Sequence, residues 1–193
     1  MRLFSYIVTH DTGFAPNPFF GCCTLACCKP IIRRCSDTGD WVVGLCPKSS
    51  NNKLIFAMRI DKKLTFSDYW NESIYNSKKP RYDKSAVIHK CGDNIYEPQG
   101  NGNFNQLRSM HTKEQKDHDL SGQYVLVSQN FVYYGRQSIN LPPSMNFLKA
   151  SRGHRSRFSG DELHTFNEYI KTLPRGIQGP PETWPDNDFS WMY

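Results

Sequence analysis

The stretch THDTGFAPNPFFGCCTLACCKPIIRR, residues 9–34, concentrates residue types that can do chemistry. Thr9, Asp11 and Asn17 lie in a loop that one glycine and two prolines make tight and stiff. Asn and Asp side chains can pair with the edge of a nucleotide base, and neighbouring Phe rings can stack on its face. We therefore predict that Thr9, Asp11 and Asn17 belong to a binding site. The alternative is an Asx turn whose polar groups only shape the loop.

Cationic residues follow this loop directly. Lys29 and Arg33 are four residues apart, so a regular helix places both on one face, where they suit a phosphate group. Pro30 stands between them and interrupts such a helix. The alternative is a solvated helix face.

A second polar group comes from the segment GDNIY and the loop after it. Asn94 or Gln106 suits a bidentate contact to adenine, and Asp93 suits the amino group of cytosine. Tyr96 adds a ring and a hydroxyl to the same turn. We predict that these four residues contribute to nucleic-acid or nucleotide binding. An ordinary turn and a solvated loop are the alternative.

The densest positive run is KASRGHRSRF, which contains Arg152, Arg155 and Arg157. Lys and Arg number 24 against 18 Asp and Glu, giving a formal net charge of +6. Both features favour an anionic partner, and clustered cations suit a phosphate backbone in a salt-sensitive manner. The alternative is a solvated loop and ordinary surface charge.

The seven cysteines do not have the spacing of a metal site or of a disulfide framework. Zinc sites usually offer two closely spaced ligand pairs, and no second pair follows Cys23 and Cys27. We expect free thiols that act as small apolar residues, and no metal. The sequence also lacks a phosphate-binding P-loop, a dinucleotide-binding glycine motif and the zinc-deaminase signature, so we expect no cofactor.

These residues must be positioned by an α+β fold. Apolar periodicity predicts a bent, mostly antiparallel sheet, or a small PUA-like β-barrel, with two or three flanking helices. We expect one domain over residues 1–193, in which residues 174–193 form an irregular tail rich in Pro and aromatic residues. The predicted strands cover residues 2–9, 41–45, 53–61 and 123–135, and the predicted helices cover 24–35 with a break at Pro30, a segment from Thr65 to Trp70, and 162–173.

Four segments together resemble a known family, nucleotide modification associated domain 2. They are VTHDTGFAPNPFFGCCTLACCKPIIRR, GDWVVG, FAMRID with TFSDYW, and GDNIY, and the resemblance spans residues 3–135. It implies a nucleotide or nucleic-acid setting, beside DNA base-modification and phage-conflict functions. The order of a Gly-Asp turn, an apolar strand and a hairpin also resembles PUA, ASCH and EVE barrels, which bind RNA or modified DNA bases.

Two functional hypotheses follow from the residues and the resemblance. The first is non-catalytic recognition of nucleic acid, in particular of a modified DNA base, in a DNA-modification or phage-defence setting. The second is an enzyme that acts on a nucleotide or a DNA base. It would use Asp11 or Asp93 as base or nucleophile, His111 or His154 as proton donor, and Lys29 or Arg33 to bind phosphate. DNA or a nucleotide is the expected partner, with RNA as a second candidate. No apolar run reaches the ~18 residues of a membrane helix, so we expect a cytoplasmic protein without membrane contact. The sequence leaves the oligomeric state open.

Overall fold

In the described residues the regular structure consists of two sheets, a short hairpin, four α-helices and several short 3-10 helices. The computed structural model describes residues 1–150 and 153–192. The strands are β1 (Leu3–Ile7), β2 (Cys23–Leu25), β3 (Trp41–Leu45), β4 (Leu54–Arg59), β5 (Lys62–Thr65), β6 (Tyr96–Pro98), β7 (Phe104–Gln106), β8 (Tyr124–Ser128), β9 (Asn130–Tyr133), β10 (His154–Arg155) and β11 (Gly176–Ile177). The helices are α1 (Pro30–Cys35), α2 (Phe66–Asn71), α3 (Lys116–Leu120) and α4 (Gly160–Lys171).

The strands form a bent and mostly antiparallel arrangement, as the sequence predicts. The larger sheet has the order β10-β1-β3-β4-β9-β11, the second β2-β8-β5, and the hairpin is β6-β7. Only the β1–β3 and β9–β11 pairs are parallel among the described residues. Strand β4 leads into β5 and β8 leads into β9, while β4 pairs with β9 and β5 with β8. The two segments β4–β5 and β8–β9 therefore run side by side from the larger sheet into the second one. None of the sheets in the described residues closes into a barrel.

Helix α4 covers one face of the larger sheet. Ser159 caps its first turn, with Glu162 completing a reciprocal capping box. Phe166 of this helix meets Trp41 of β3 edge to face, with ring centroids 5.5 Å apart, and Trp41 is buried. Trp41 is thus buried between the larger sheet and α4.

The segment predicted as a broken helix over residues 24–35 has a different conformation. Residues Cys23–Leu25 form β2, and the helix begins only at Pro30. Proline has no N–H and fits the first helical turn, while the residue before it is driven out of the right-handed helical region. Pro30 therefore starts a helix here instead of interrupting one. The segment from Thr65 to Trp70, predicted as a helix, forms α2, and Thr65 caps its first turn.

The C-terminal tail packs over the opening loop. Trp184 stacks on Phe19 with a centroid distance of 5.1 Å, and its indole N–H donates to the Thr12 carbonyl at 2.9 Å. The tail thus covers the loop between β1 and β2. None of the helices in residues 1–150 and 153–192 is long and apolar enough to cross a membrane.

Candidate active site

Cys28, His111 and Asp119, hereafter the triad, form a continuous chain of hydrogen-bonding groups. The Cys28 Sγ lies 3.4 Å from His111 Nε2, and His111 Nδ1 lies 2.6 Å from Asp119 Oδ2. Cys28 follows β2, His111 lies in the loop after β7, and Asp119 lies in α3. A nucleophile, a base and a carboxylate that orients the base have this arrangement in enzymes that use covalent catalysis.

Asp119 is fully buried, and each of its carboxylate oxygens accepts hydrogen bonds. Oδ1 accepts the backbone N–H of Cys28 at 2.7 Å, and Oδ2 accepts the Tyr96 hydroxyl at 2.8 Å in addition to His111. Burial by itself raises the pKa of Asp119, but these bonds and the charge of His111 outweigh it and hold the pKa below its usual value. Asp119 is therefore a carboxylate at neutral pH.

His111 is held in one orientation from several sides. Phe14 meets the imidazole edge to face at 4.8 Å, and Gln106 and Ser109 donate hydrogen bonds to the His111 carbonyl at 3.0 and 3.1 Å. Burial lowers its pKa, but hydrogen bonds to Asp119 and Cys28 more than reverse this and raise the pKa to about 9. At neutral pH His111 is thus mainly an imidazolium. Its Nε2 lies within hydrogen-bond distance of the Cys28 sulfur, so the ring is placed to exchange a proton at the site of a nucleophile.

The backbone at the candidate nucleophile is strained. Cys28 has φ 61° and Lys29 has φ 42°, which is the left-handed region that non-glycine residues avoid. Each such residue costs about 1–3 kcal/mol and persists only where surrounding contacts enforce it. The two residues lie in the connection between β2 and α1.

Arg33 links the two halves of the site from within. Its side chain is fully buried and donates to the carbonyls of Cys28 at 2.8 Å, of Tyr124 at 2.7 Å, and of Asp119. A Cβ on Gly122 would overlap the Arg33 guanidinium, so only glycine leaves room for it. Arg33 therefore holds the turn of Cys28 against the end of α3, and its donors are directed at the protein backbone rather than at solvent.

An open cleft of about 390 Å³ reaches Cys28. Thr9, which the sequence analysis proposed for binding, lies exposed on its wall. The polar and charged residues that line the cleft are Tyr6, Thr9, His10, Cys28, Lys29, His118 and His154. The nucleophile thus borders a space large enough for a small molecule or for part of a larger one.

Asp11 and Asn17 are buried and occupied by internal hydrogen bonds. Both carboxylate oxygens of Asp11 accept from the Tyr133 hydroxyl at 2.7 Å, and burial raises the pKa of Asp11 to about 6. The Asn17 amide donates to the Cys91 carbonyl at 2.9 Å, and its oxygen accepts from Lys78 at 2.7 Å. These bonds match the structural alternative, in which polar groups shape the loop.

Asp93 and Asn94 are buried in a second internal network. Asp93 accepts from the hydroxyls of Thr24 and Tyr69, each at 2.7 Å, and burial raises its pKa. The Asn94 amide donates to the Tyr69 carbonyl at 2.9 Å. Tyr96 and Gln106 support the triad, as described above. The residues proposed to contact a base therefore do not meet in one open pocket.

The basic run lies apart from these networks. Arg155 pairs with Glu162 at 2.8 Å and donates to the Phe147 carbonyl, while Arg157 is exposed. Arg152 lies outside the described residues. That this run binds phosphate groups stays a prediction.

Cys27, His111 and Asp119 also offer one potential metal ligand each, within 4.8 Å of one another. Metal binding requires a thiolate, and burial raises the pKa of the Cys27 thiol far above its usual value. Both Asp119 oxygens already accept hydrogen bonds. The donor set therefore fits proton transfer better than metal binding, and the absence of a metal stays a prediction.

Comparison with known proteins gives one match. The sequence profile of a family described as nucleotide modification associated domain 2 matches residues 1–188. Searches of curated proteins and of solved structures each found no match.

Proposed function

The chain belongs to the nucleotide modification associated domain 2 family, and we propose that it is a cysteine-dependent enzyme that transfers or hydrolyses an acyl group on a nucleotide or nucleic acid. The observation that carries this proposal is the triad, in which Cys28 borders an open cleft and His111 connects it to a buried carboxylate. The family supplies the substrate class, and the triad supplies the type of chemistry.

The first step forms a thioester. The Cys28 sulfur attacks a carbonyl carbon of the substrate, a C–S bond forms, and the C–N or C–O bond to the leaving group breaks. The proton on His111 Nε2 moves to the leaving group. Asp119 keeps the other proton on Nδ1 and fixes the plane of the ring, because its Oδ2 lies 2.6 Å from that nitrogen.

The second step releases the acyl group. Water or an amine gives a proton to His111 Nε2 and attacks the thioester carbon, and the C–S bond breaks. Cys28 returns as a thiolate beside the imidazolium. With water the product is an acid, and with an amine it is an amide.

Recognition of a modified base without chemistry receives less support. Four of the residues assigned to it, Asp11, Asn17, Asp93 and Asn94, are buried with internal partners. An enzyme was our second hypothesis, and His111 was one of its candidates. The present proposal keeps His111, and it replaces the buried aspartates with Cys28 as nucleophile and Asp119 as orienting group.

Alkylation by iodoacetamide tests whether Cys28 is activated. Peptide mass spectrometry gives the rate at each cysteine, and Cys35, which is exposed, serves as an internal control for an ordinary thiol. We expect Cys28 at pH 7 to react about tenfold faster than Cys35 despite its lower exposure, because the thiolate is the reacting form. His111→Asn should bring the two rates together. Equal rates in the parent protein would contradict activation of Cys28.

An activated ester tests the acyl step itself. Incubation with p-nitrophenyl acetate should place an acetyl group on Cys28 and release p-nitrophenol in a burst of about one equivalent. Cys28→Ser should lose this burst, while Cys35→Ser should keep it. If Cys28 alkylates rapidly but never acquires the acetyl group, nucleophilic activation stands and acyl transfer is ruled out.

A further inference from the structure

Positive and protonatable side chains surround the cleft at Cys28. His10, Lys29, His118 and His154 line it, although they come from four distant parts of the sequence. No Asp or Glu stands among the residues that line this cleft in the described part of the chain. The cleft thus combines a nucleophile with a one-sided distribution of charge, which attracts anions.

Lys29 is the fixed charge of the cleft. Its side chain is half-buried, and the ammonium lies 4.7 Å from the centroid of the Tyr6 ring. Within residues 1–150 and 153–192 no carboxylate lies within 4.0 Å of this ammonium. Because the side chain is half-buried, its charge is only partly solvated, and this burial lowers the pKa of Lys29. A bound anion would replace the missing solvation.

His154 is a second protonatable side chain on the wall of this cleft. Burial, and then the charge of Lys29, lower the pKa of His154. The two side chains therefore repel each other when both are protonated, and an anion between them would remove that repulsion.

Tyr6 also lines this cleft, and its hydroxyl has no hydrogen-bond partner within the described residues. The residue is 2% exposed. Buried hydroxyls normally have a partner, so a ligand oxygen or water is the expected one.

From these contacts we infer that the cleft binds a phosphate group of the substrate, with Lys29 as its main ligand and His154 beside it. This inference rests on the proposed function, since it assigns the cleft to the substrate of Cys28. The phosphate belongs either to a free nucleotide or to the backbone of a nucleic acid. It takes no part in the chemistry, and its binding places the acyl carbon near the sulfur.

Isothermal titration calorimetry on the Cys28→Ser protein tests the inference without the nucleophile. The probes are inorganic phosphate, thymidine 5′-monophosphate and a ten-nucleotide single-stranded DNA, all at one fixed ionic strength. The variants are Lys29→Gln, Lys29→Arg and the matched control Lys84→Gln, which removes an equal charge from an exposed loop residue. Thermal melts establish that each variant is folded.

We expect saturable binding of the monophosphate or of the oligonucleotide, weakened at least tenfold by Lys29→Gln. The dissociation constant of Lys29→Arg should lie within about threefold of that of the protein with Lys29, because the charge is kept. Lys84→Gln should leave the dissociation constant unchanged. Tighter binding of the monophosphate would identify a free nucleotide as the source, and tighter binding of the oligonucleotide would identify the backbone. The inference is overturned if no phosphate probe binds, or if Lys29→Gln and Lys84→Gln bind equally. The alkylation and acetylation tests on the parent protein are independent of this one. If they find Cys28 unreactive while phosphate binding depends on Lys29, the phosphate site is retained and the proposed enzyme is rejected.

Discussion

Raising the pH should remove the stabilisation that the His111–Asp119 pair gives to the fold. The pKa of His111 in the folded protein is about 9, against 6.5 for an ordinary histidine. A group whose pKa rises on folding stabilises the folded protein, and this contribution is complete at a pH below the pKa of the group in the unfolded chain. It is lost as the pH rises through the pKa of the group in the folded protein. At 1.36 kcal/mol per pH unit, the loss between pH 6.5 and 9 amounts to about 3 kcal/mol. The imidazole is largely buried, with a side-chain exposure of 11%, so solvent screening reduces this little.

Urea unfolding at several pH values between 6 and 10 measures this loss. The parent protein should lose about 3 kcal/mol more than His111→Asn over that range, because other titrating groups contribute equally to both. His118→Asn is the matched control, since His118 is exposed and outside the pair. It should follow the parent curve. If His111→Asn and the parent lose stability in parallel, His111 does not bind its proton tightly and the basis for an activated Cys28 is gone.

Further predictions concern the core, the support of the triad and metal content. Trp41→Ala should lower the free energy of unfolding by roughly 3–5 kcal/mol, since it empties the contact with α4; a thermal melt equal to the parent would contradict burial. Gly122→Ala should lower the free energy of unfolding by about 1–3 kcal/mol and slow the alkylation of Cys28, because the added Cβ displaces Arg33. Gly160→Ala is the control, since a Cβ there meets nothing within 4 Å, and it should have neither effect. Elemental analysis of purified protein should find no stoichiometric zinc, and one zinc per chain that resists chelation would instead indicate a site at Cys27, His111 and Asp119.

Local sequence signals predicted much of the framework. Alternating and continuous apolar runs placed β1, β3 and the β8–β9 region, and a polar cap before an apolar turn placed α2. These features depend on neighbours within a few residues, so the chain itself contains the information. The prediction of a helix over residues 24–29 was wrong. The apolar residues there have a helical spacing, but β2 pairs with β8, which lies far along the chain.

Polar residues in the opening loop illustrate the limit for the site. An Asp or Asn in a Gly- and Pro-rich loop has the same sequence signature whether it binds a ligand or fixes the loop. Burial decides between these roles, and burial of Asp11 depends on Tyr133, more than a hundred residues away. Arg33 was likewise indistinguishable from a surface cation until its three backbone acceptors were placed around it.

The sequence by itself determined the family, the class of fold and the presence of an unusual polar and cysteine-rich loop at residues 9–34. Only the tertiary structure decided that the Cys28 sulfur lies within hydrogen-bond distance of a histidine ring. His111 and Asp119 lie 83 and 91 positions further along the chain. Their meeting depends on how the hairpin and α3 fold back onto the turn after β2, and hydrogen bonds between residues so far apart leave no periodic trace in the sequence.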